Sequence, residues 1–357
     1  MYVHVPALRG KMGSRTYYSC LMPLDAISNM FKFDPEERQW TDLSPEQREQ
    51  RALNKARVPT LISYILNNED DYLFASITAS YKSEPVFVPS PQPDGSDNIG
   101  TLKLRMGDEL TINDGQHRCA GIVEAVKKNP ELGSQTISVL LFPWESTTRV
   151  QQMFTDLNRH VVKTSKSLDV LFDKRDPLSI ATMFALGNVP VFKDLTEKVD
   201  ASLKAKSQKI FTLAALYDAN SDLLRDQDED DVEGNARRLT EYWSCISSHM
   251  PDWTKVLTGH KLATELRSES ISAHSTVLRA LGGLGAELMK SGDWKDKLAG
   301  LEKIDWSKTN PDWQDVCIVA NSVVSNRQAR GATKAYIKGR LGMEMSEAEM
   351  RSIKKAA

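Results

Sequence analysis

Residues 109–126 read ELTINDGQHRCAGIVEAV, and this stretch decides the fold of the first half of the chain. Apolar residues alternate over residues 109–112, which predicts a strand, and residues 113–115 are turn formers. The spacing that follows predicts a helix over residues 116–128. A helix that begins directly after a strand directs its first backbone N–H groups, and the positive end of its dipole, at one point. That point favours an anion, most often a phosphate.

The five residues at this junction suit a nucleotide or phosphate site. Gly115 lets the backbone approach a ligand closely, and Arg118 can bind two phosphate oxygens with its guanidinium fork. Gln116 and His117 can each donate or accept a hydrogen bond. Asp114 can cap the helix or hold a metal ion or a water. The alternative is an ordinary capped helix whose polar side chains are solvated.

The rest of the sequence predicts an α+β protein, with a mixed first domain at residues 1–160 and an α-helical second domain at residues 161–357. Residues 1–24 alternate and break at Gly10 and Gly13, which predicts a hairpin. From residue 146 onward the pattern is mostly helical. The other predicted elements are strands at residues 72–78, 86–88, 100–105 and 137–142, and helices at residues 25–33, at residues 45–57 and after Pro59.

The composition is that of an ordinary globular chain of 357 residues. It excludes a disordered, a collagen-like and a disulfide-stapled protein. The 46 basic and 48 acidic residues give a net charge of −2. Because no global positive field draws such a chain to nucleic acid, DNA binding would require a local basic patch.

The four cysteines are residues 20, 119, 245 and 317, and their spacing is not that of metal ligands. We therefore expect reduced thiols and no metal site. No apolar run approaches the ~20 residues that cross a bilayer, and the N-terminal segment lacks the apolar region of a signal peptide. These features predict a cytoplasmic protein with no membrane partner.

A local basic patch is predicted near the C-terminus, because residues 316–343 contain no acidic residue. Gly331 is expected to break this segment, with a short helix following at residues 333–341. About five phosphate contacts would give a slope of about −4 to −5 for log K against log salt concentration. The alternative is a solvated basic helix that balances the acidic stretch at residues 225–234. The predicted DNA-contacting residues are Arg327, Arg330, Lys334, Lys338 and Arg340, with a second cluster at Arg159, Lys163 and Lys166.

Residues 114–118, DGQHR, are the motif that names a family of ParB/sulfiredoxin-like proteins, and the chain resembles that family at this point. A second resemblance, to the DndB family of the DNA phosphorothioation gene cluster, extends over nearly the whole chain. The stretches similar to DndB are Tyr17-Tyr18, residues 21–24 (LMPL), residues 47–57 (QREQRALNKAR), residues 154–158 (FTDLN), residues 167–176 and residues 321–342.

The resemblance implies a ParB/sulfiredoxin-like first domain in which the turn from Gly115 to Arg118 grips nucleotide phosphates. Sulfiredoxins carry a reactive cysteine just before the His–Arg pair. Gln116 stands at that position in this sequence, so thiol chemistry of that type is not expected. The DndB resemblance implies a negative transcriptional regulator that binds promoter DNA of the modification genes, and we expect it to act as a homodimer on a two-fold site.

A second hypothesis belongs to a different functional class. The DGQHR site would bind and hydrolyse a nucleoside triphosphate, which would make the protein an NTPase or a DNA-nicking component. The sequence contains no P-loop of the form GxxxxGK[ST], so any turnover is expected to be slow or linked to DNA. Cys20, on a predicted strand, is a further candidate, as a regulatory thiol in a sulfur-handling system.

Overall fold

The computed structural model describes residues 2–31, 57–108, 110–159 and 164–354. The chain divides into two compact units, Met1–Val162 and Lys163–Ala357, which we call the N-terminal and the C-terminal unit. A β-sheet dominates the first unit and helices dominate the second, which confirms the α+β class. Among the helices of the described ranges, none is long and apolar enough to cross a membrane.

One sheet organises the N-terminal unit. Its spatial order is β4-β5-β1-β2-β7-β3-β6, in which β3 and β7 are parallel and the other neighbours are antiparallel. The seven strands are β1 (Tyr2–Met12), β2 (Arg15–Pro23), β3 (Ile77–Tyr81), β4 (Val86–Pro89), β5 (Ile99–Arg105), β6 (Leu110–Asp114) and β7 (Thr136–Pro143).

Strand alternation places the core on one side of this sheet. In β1, Val5 and Ala7 are buried, whereas Tyr2 and Leu8 are exposed on the opposite face. Buried side chains from three helices join the strands in a single core, and a fourth helix contacts β6. The helices that the structure describes in this unit are α1 (Leu24–Met30), α2 (Arg57–Leu66), α3 (Gln116–Lys128) and α4 (Thr147–Arg159).

The C-terminal unit is a helical array around an aromatic core. Trp243 and Trp253 are fully buried and make edge-to-face contacts with Phe192 and Phe211 respectively. The helices are α5 (Lys166–Phe172), α6 (Pro177–Asn188), α7 (Pro190–Leu195), α8 (Leu213–Leu224), α9 (Val232–Ser248), α10 (Pro251–Leu257), α11 (Ala263–Glu269), α12 (Ser275–Leu288), α13 (Trp294–Leu298), α14 (Arg327–Arg340) and α15 (Glu347–Lys354).

The strand predicted at residues 72–78 is wrong over most of its length, since β3 begins at Ile77. The carbonyls of Ala75 and Ser76 accept hydrogen bonds from Arg118 instead of from a neighbouring strand. Phe74 lies in an aromatic cluster with Tyr64 and Tyr72. The segment is therefore held by side chains, which a propensity argument does not register.

The predicted break at Gly331 is also wrong, because α14 runs from Arg327 to Arg340 without interruption. Asn326 caps the helix by accepting a hydrogen bond from the N–H of Ala329 at 2.8 Å. Gly331 faces solvent, whereas the alanines on the other face of the helix are buried. The free energy gained by packing these alanines is larger than the free energy that the flexible glycine costs the helix. The helix predicted at residues 45–57 lies almost wholly outside the described residues.

Candidate functional site

The junction between β6 and α3 is a strand–glycine–helix turn. β6 extends to Asp114, two residues beyond the predicted end, and α3 spans the predicted residues 116–128. Gly115 precedes the helix with φ at +100°, a backbone conformation that costs a residue with a Cβ. A Cβ there would also lie 3.2 Å from Nη2 of Arg118 and 3.3 Å from Cγ1 of Ile77. The backbone conformation therefore favours glycine, and the two close contacts leave little room for a Cβ.

Arg118 lies folded back over this junction. Its Nη1 donates to the carbonyl oxygens of Ala75 at 2.6 Å and Ser76 at 2.9 Å, and its Nη2 donates to Oδ2 of Asp114 at 2.5 Å. These bonds use three of the five N–H donors of the guanidinium. The side chain is only 18% exposed. Arg118 thus ties the start of α3 to the segment before β3, a positioning role that the motif does not reveal.

Asp114 does not cap α3, which corrects one of the sequence-based alternatives. Its carboxylate accepts from Arg118, and the N-cap residue is Gly115, which has no side chain to offer. Cys119 is the first residue whose N–H reaches a helical acceptor, the carbonyl of Gly115 at 2.9 Å. The first turn, with partly exposed Gln116 and His117, therefore lacks a side-chain cap and retains the positive end of the dipole.

The cysteines near the junction belong to the core. Cys20 and Cys119 are buried, and burial raises the pKa of each thiol to about 12. Sγ of Cys20 lies 3.5 Å from the carbonyl oxygen of Val139 on the neighbouring strand. Because the thiolate is the reactive form, this environment opposes the sensing role predicted for Cys20.

The basic segment on α14 is largely neutralised inside the C-terminal unit. Nζ of Lys338 lies 2.9 Å from Glu287 and 3.0 Å from Glu349, and the residue is 7% exposed. Nζ of Lys334 pairs with both carboxylates, at 3.3 Å from Glu349. Arg340 pairs with the carboxylate of Asp312. These three residues were predicted to contact phosphates, but in this structure they stabilise the packing of α14.

The other two residues of the predicted basic segment are arginines. Arg327 is exposed and Arg330 is half-buried, and within the described residues neither has an ion-pair partner. They lie three residues apart in the first turn of α14, where neighbours at this spacing share one face. A basic side chain at the positive end of a helix dipole does not favour the helix. Their placement therefore fits an anionic ligand better than it fits helix stability.

Of the second predicted basic cluster, the structure describes only the side chain of Lys166. Lys166 pairs with Asp218 and lies 5.0 Å above the ring of Tyr217. Arg159 is the last residue of α4, and Lys163 lies outside the described residues. No group of three or more potential metal ligands occurs in the part of the chain that the structure describes.

Sequence reasoning missed the acidic partners of α14 because Glu287, Asp312 and Glu349 lie outside the acid-free window. It also missed an exposed sheet surface. The outward face of β4, β5, β1 and β2, opposite the core, carries Tyr2, Leu8 and other exposed apolar residues. We call it the open face. The sequence carries a signal for this face, because apolar residues of β1 stand at both even-numbered and odd-numbered positions and therefore point to both faces of the sheet.

This chain is a two-unit α+β protein. Its first unit is a mixed sheet with a strand–glycine–helix junction, and its second unit is helical and contains a basic helix. The sequence model of the DndB family, described as DNA-sulfur modification-associated, matches residues 5–344. The chain therefore belongs to the DndB family, which confirms the resemblance drawn from its motifs. The match includes both the β6–α3 junction and α14 and ends before α15. No curated protein and no solved structure matches the chain.

Proposed function

We propose that this DndB-family protein is a DNA-binding negative regulator of DNA phosphorothioate-modification genes, acting on their promoter DNA. Membership of a family associated with DNA-sulfur modification supplies the setting. The observation that carries the proposal is the pair Arg327 and Arg330, the two basic residues of the α14 segment without a partner in the described structure.

The geometry of this pair suits the DNA backbone. Arginine presents planar, fork-shaped donors that match phosphate oxygens, and the helix start adds a positive partial charge beside them. Asn326 and Gln328 are exposed on either side of Arg327 and can donate further hydrogen bonds. Because three of the five predicted cations are paired internally, this segment offers about two phosphate contacts and a salt slope of about −2 per copy.

The test is DNA binding measured by fluorescence anisotropy at several salt concentrations, with DNA from upstream of the modification genes. The double variant Arg327→Ala/Arg330→Ala is expected to weaken binding at least tenfold and to reduce the salt slope by about 2 per copy. The matched control is Arg237→Ala/Arg351→Ala, which removes two exposed arginines that pair with neighbouring glutamates.

A transcriptional reporter provides the second readout. The Arg327→Ala/Arg330→Ala variant should raise expression from the modification promoter, while the control double variant should keep it repressed. Wild-type protein that fails to bind the upstream DNA at low salt would reject the proposal. Equal affinities and salt slopes for the two double variants would reject the assigned residues.

A second candidate function is nucleotide binding at the β6–α3 junction. It is favoured by the left-handed Gly115 and by a first turn of α3 that has no side-chain cap. Nε and the second hydrogen of Nη2 on Arg118 remain to donate to a phosphate. These groups can hold a phosphate, and we therefore propose nucleotide binding at this junction.

Gln116→Glu tests this second function without breaking the Arg118 contacts. A carboxylate in the first turn favours the helix and repels a phosphate. We expect at least a tenfold loss of affinity for a radiolabelled nucleoside triphosphate, with an unchanged or higher melting temperature. Wild-type protein that retains no nucleotide at millimolar concentration, or an unchanged affinity in Gln116→Glu, would reject nucleotide binding at this junction.

A further inference from the structure

Four cations of α14 form a stripe along the helix, and only one end of this stripe is open. Their spacing of three or four residues places them on one side of the helix. The arginines at the open end are exposed or half-buried, whereas the side chains of the two lysines are only 19% and 8% exposed. The four residues, which we call the basic stripe, are Arg327, Arg330, Lys334 and Lys338.

Two carboxylates cover the lysine end of the basic stripe. Nζ of Lys338 lies 2.9 Å from Glu287 and 3.0 Å from Glu349, and Nζ of Lys334 pairs with both carboxylates, at 3.3 Å from Glu349. Glu287 belongs to α12, which is buried along most of its length. Glu349 belongs to the short helix α15. The two covering groups therefore differ, since one is fixed in the core and the other is carried by a separate element.

α15 is attached to the C-terminal unit mainly by charge. The apolar core of this unit is lined by Leu341 and Met343, but no described residue of α15 belongs to it. Met350 of α15 is 41% exposed, and Glu347 and Arg351 are more than 70% exposed. Because an isolated helix of eight residues is marginal in water, α15 depends on its contacts with α14. An anion that binds the two lysines therefore competes directly with α15.

The charges around the covered end show what the removal of Glu349 changes. Lys334, Lys338 and Arg225 supply three positive charges, with Arg225 3.6 Å from Glu287. Glu287 and Glu349 supply two negative charges, so the cluster has a net charge of +1. Without Glu349 the same cluster has a net charge of +2. The covered end then offers one more positive charge to a polyanion.

We infer that the lysine end of the basic stripe is a second phosphate-binding surface for DNA, and that Glu349 of α15 covers it in the place of a phosphate. This inference rests on the proposed function. A carboxylate bonded to an ammonium group and a phosphate bonded to the same group make the same kind of charge-assisted hydrogen bond. DNA that reaches Lys334 and Lys338 displaces α15, and by linkage the release of α15 strengthens DNA binding by the same factor.

The length of the basic stripe suits a DNA strand. Its first and last residues are eleven positions apart, which corresponds to about 17 Å along the helix. One strand of B-DNA carries a phosphate for about every 3.4 Å of its axis, so a stripe of this length can meet more than one phosphate. Release of α15 therefore extends the contact that begins at Arg327 and Arg330.

The first test is DNA binding by the full chain, measured by fluorescence anisotropy with the upstream DNA. Glu349→Gln should steepen the salt slope by about 1 per copy. One added contact corresponds to about fivefold tighter binding at 0.15 M salt relative to 1 M. The matched control is Glu347→Gln, which makes the same charge change on the same helix at a side chain that is 79% exposed and pairs with Arg351. The control should bind DNA as the wild type does.

The second test needs no substitution, so a misfolded variant cannot affect it. Hydrogen exchange of residues 345–354 is compared in the wild-type protein with and without a saturating amount of the upstream DNA. DNA should speed the exchange of these amides, because it competes with Glu349 for the lysines that hold α15.

The outcomes separate this inference from the proposed function. Equal affinity and salt slope in wild type and Glu349→Gln, or an equal gain in both glutamine variants, would overturn the inference and leave the DNA-binding function in place. Unchanged or slower exchange of residues 345–354 on DNA binding would overturn it as well. If neither the wild type nor Glu349→Gln binds the DNA at low salt, the proposed function and the inference fail together.

Discussion

Glu349→Gln should loosen α15 from α14. The Glu349 carboxylate accepts from Ser346 N at 2.9 Å and Ser346 Oγ at 3.0 Å, and it pairs with Lys338 at 3.0 Å and Lys334 at 3.3 Å. Its side chain is 17% exposed. Replacing the carboxylate removes a charge from a half-buried ion cluster, and Glu287 is then the remaining acidic partner of both lysines.

The magnitude follows from the pKa of this carboxyl. Burial raises the pKa of Glu349, but hydrogen bonds from Ser346 and Lys338 outweigh burial and lower it from 4.5 to about 2. A difference of this size corresponds to about 3 kcal/mol of stabilisation at neutral pH. The glutamine amide keeps part of the hydrogen bonding, so we expect Glu349→Gln to cost about 2 kcal/mol.

The same pKa sets the pH dependence. Because the folded pKa lies below the unfolded value, the stabilisation is complete above about pH 4.5 and is lost as the pH falls through about 2. The free-energy difference between wild type and Glu349→Gln should therefore be constant from pH 7 to about pH 5 and should shrink below that.

Hydrogen exchange measured by mass spectrometry on peptides from residues 345–354 is the appropriate assay, because α15 can open without global unfolding. Protection of these amides should fall about 30-fold in Glu349→Gln, which corresponds to about 2 kcal/mol. The matched control is Glu347→Gln on the same helix, where the side chain is 79% exposed and pairs with Arg351 four residues later. That pair contributes about 0.3–0.5 kcal/mol. Equal loss of protection in the two variants would refute the reasoning.

Four further predictions concern the rest of the molecule. Arg118→Ala should lower the free energy of unfolding by about 2–4 kcal/mol, because it leaves a carboxylate and two carbonyls without their hydrogen-bond donor. The loss should appear as a lower urea midpoint, and an unchanged midpoint would contradict the role of Arg118 in holding the junction together. Gly331→Ala should raise the melting temperature through a gain of about 0.5–1 kcal/mol, since nothing lies within 4 Å of the new Cβ. Gly282→Ala should lower it sharply, because its Cβ would meet a backbone carbonyl at 2.1 Å, and the opposite order of the two melting temperatures would refute this packing. In the native protein at pH 8, iodoacetamide should modify half-buried Cys245 well before Cys20, whose thiol has a pKa of about 12; equal rates, read by peptide mass spectrometry, would show that Cys20 is accessible.

Local signals were sufficient for part of the fold. The helix at residues 116–128 was predicted because a turn, a glycine and a regular apolar stripe all lie within one short window. The hairpin of β1 and β2 was predicted for the same reason, from alternation and from Gly13 at the turn. The strand at residues 72–78 was misplaced because hydrogen bonds from Arg118, more than 40 residues away, decide the conformation of Ala75 and Ser76.

For the candidate sites too, local sequence predicts some features and only the folded structure reveals others. The DGQHR motif identifies the residues at the β6–α3 junction, but it does not show that Arg118 is used to hold the junction together. The alternation in β1 signals apolar residues on both faces, but it does not show that one face stays uncovered, because exposure depends on what packs over a sheet.

By itself, the sequence determined the family, the α+β class, the glycine-dependent junction and the position of an acid-free basic segment. Only the tertiary structure decided which of those basic residues remain available. Charge along a chain is a one-dimensional sum, whereas pairing depends on distance in space. Folding brings Glu287 and Glu349 to Lys334 and Lys338 and leaves Arg327 and Arg330 at the helix start without a partner among the described residues.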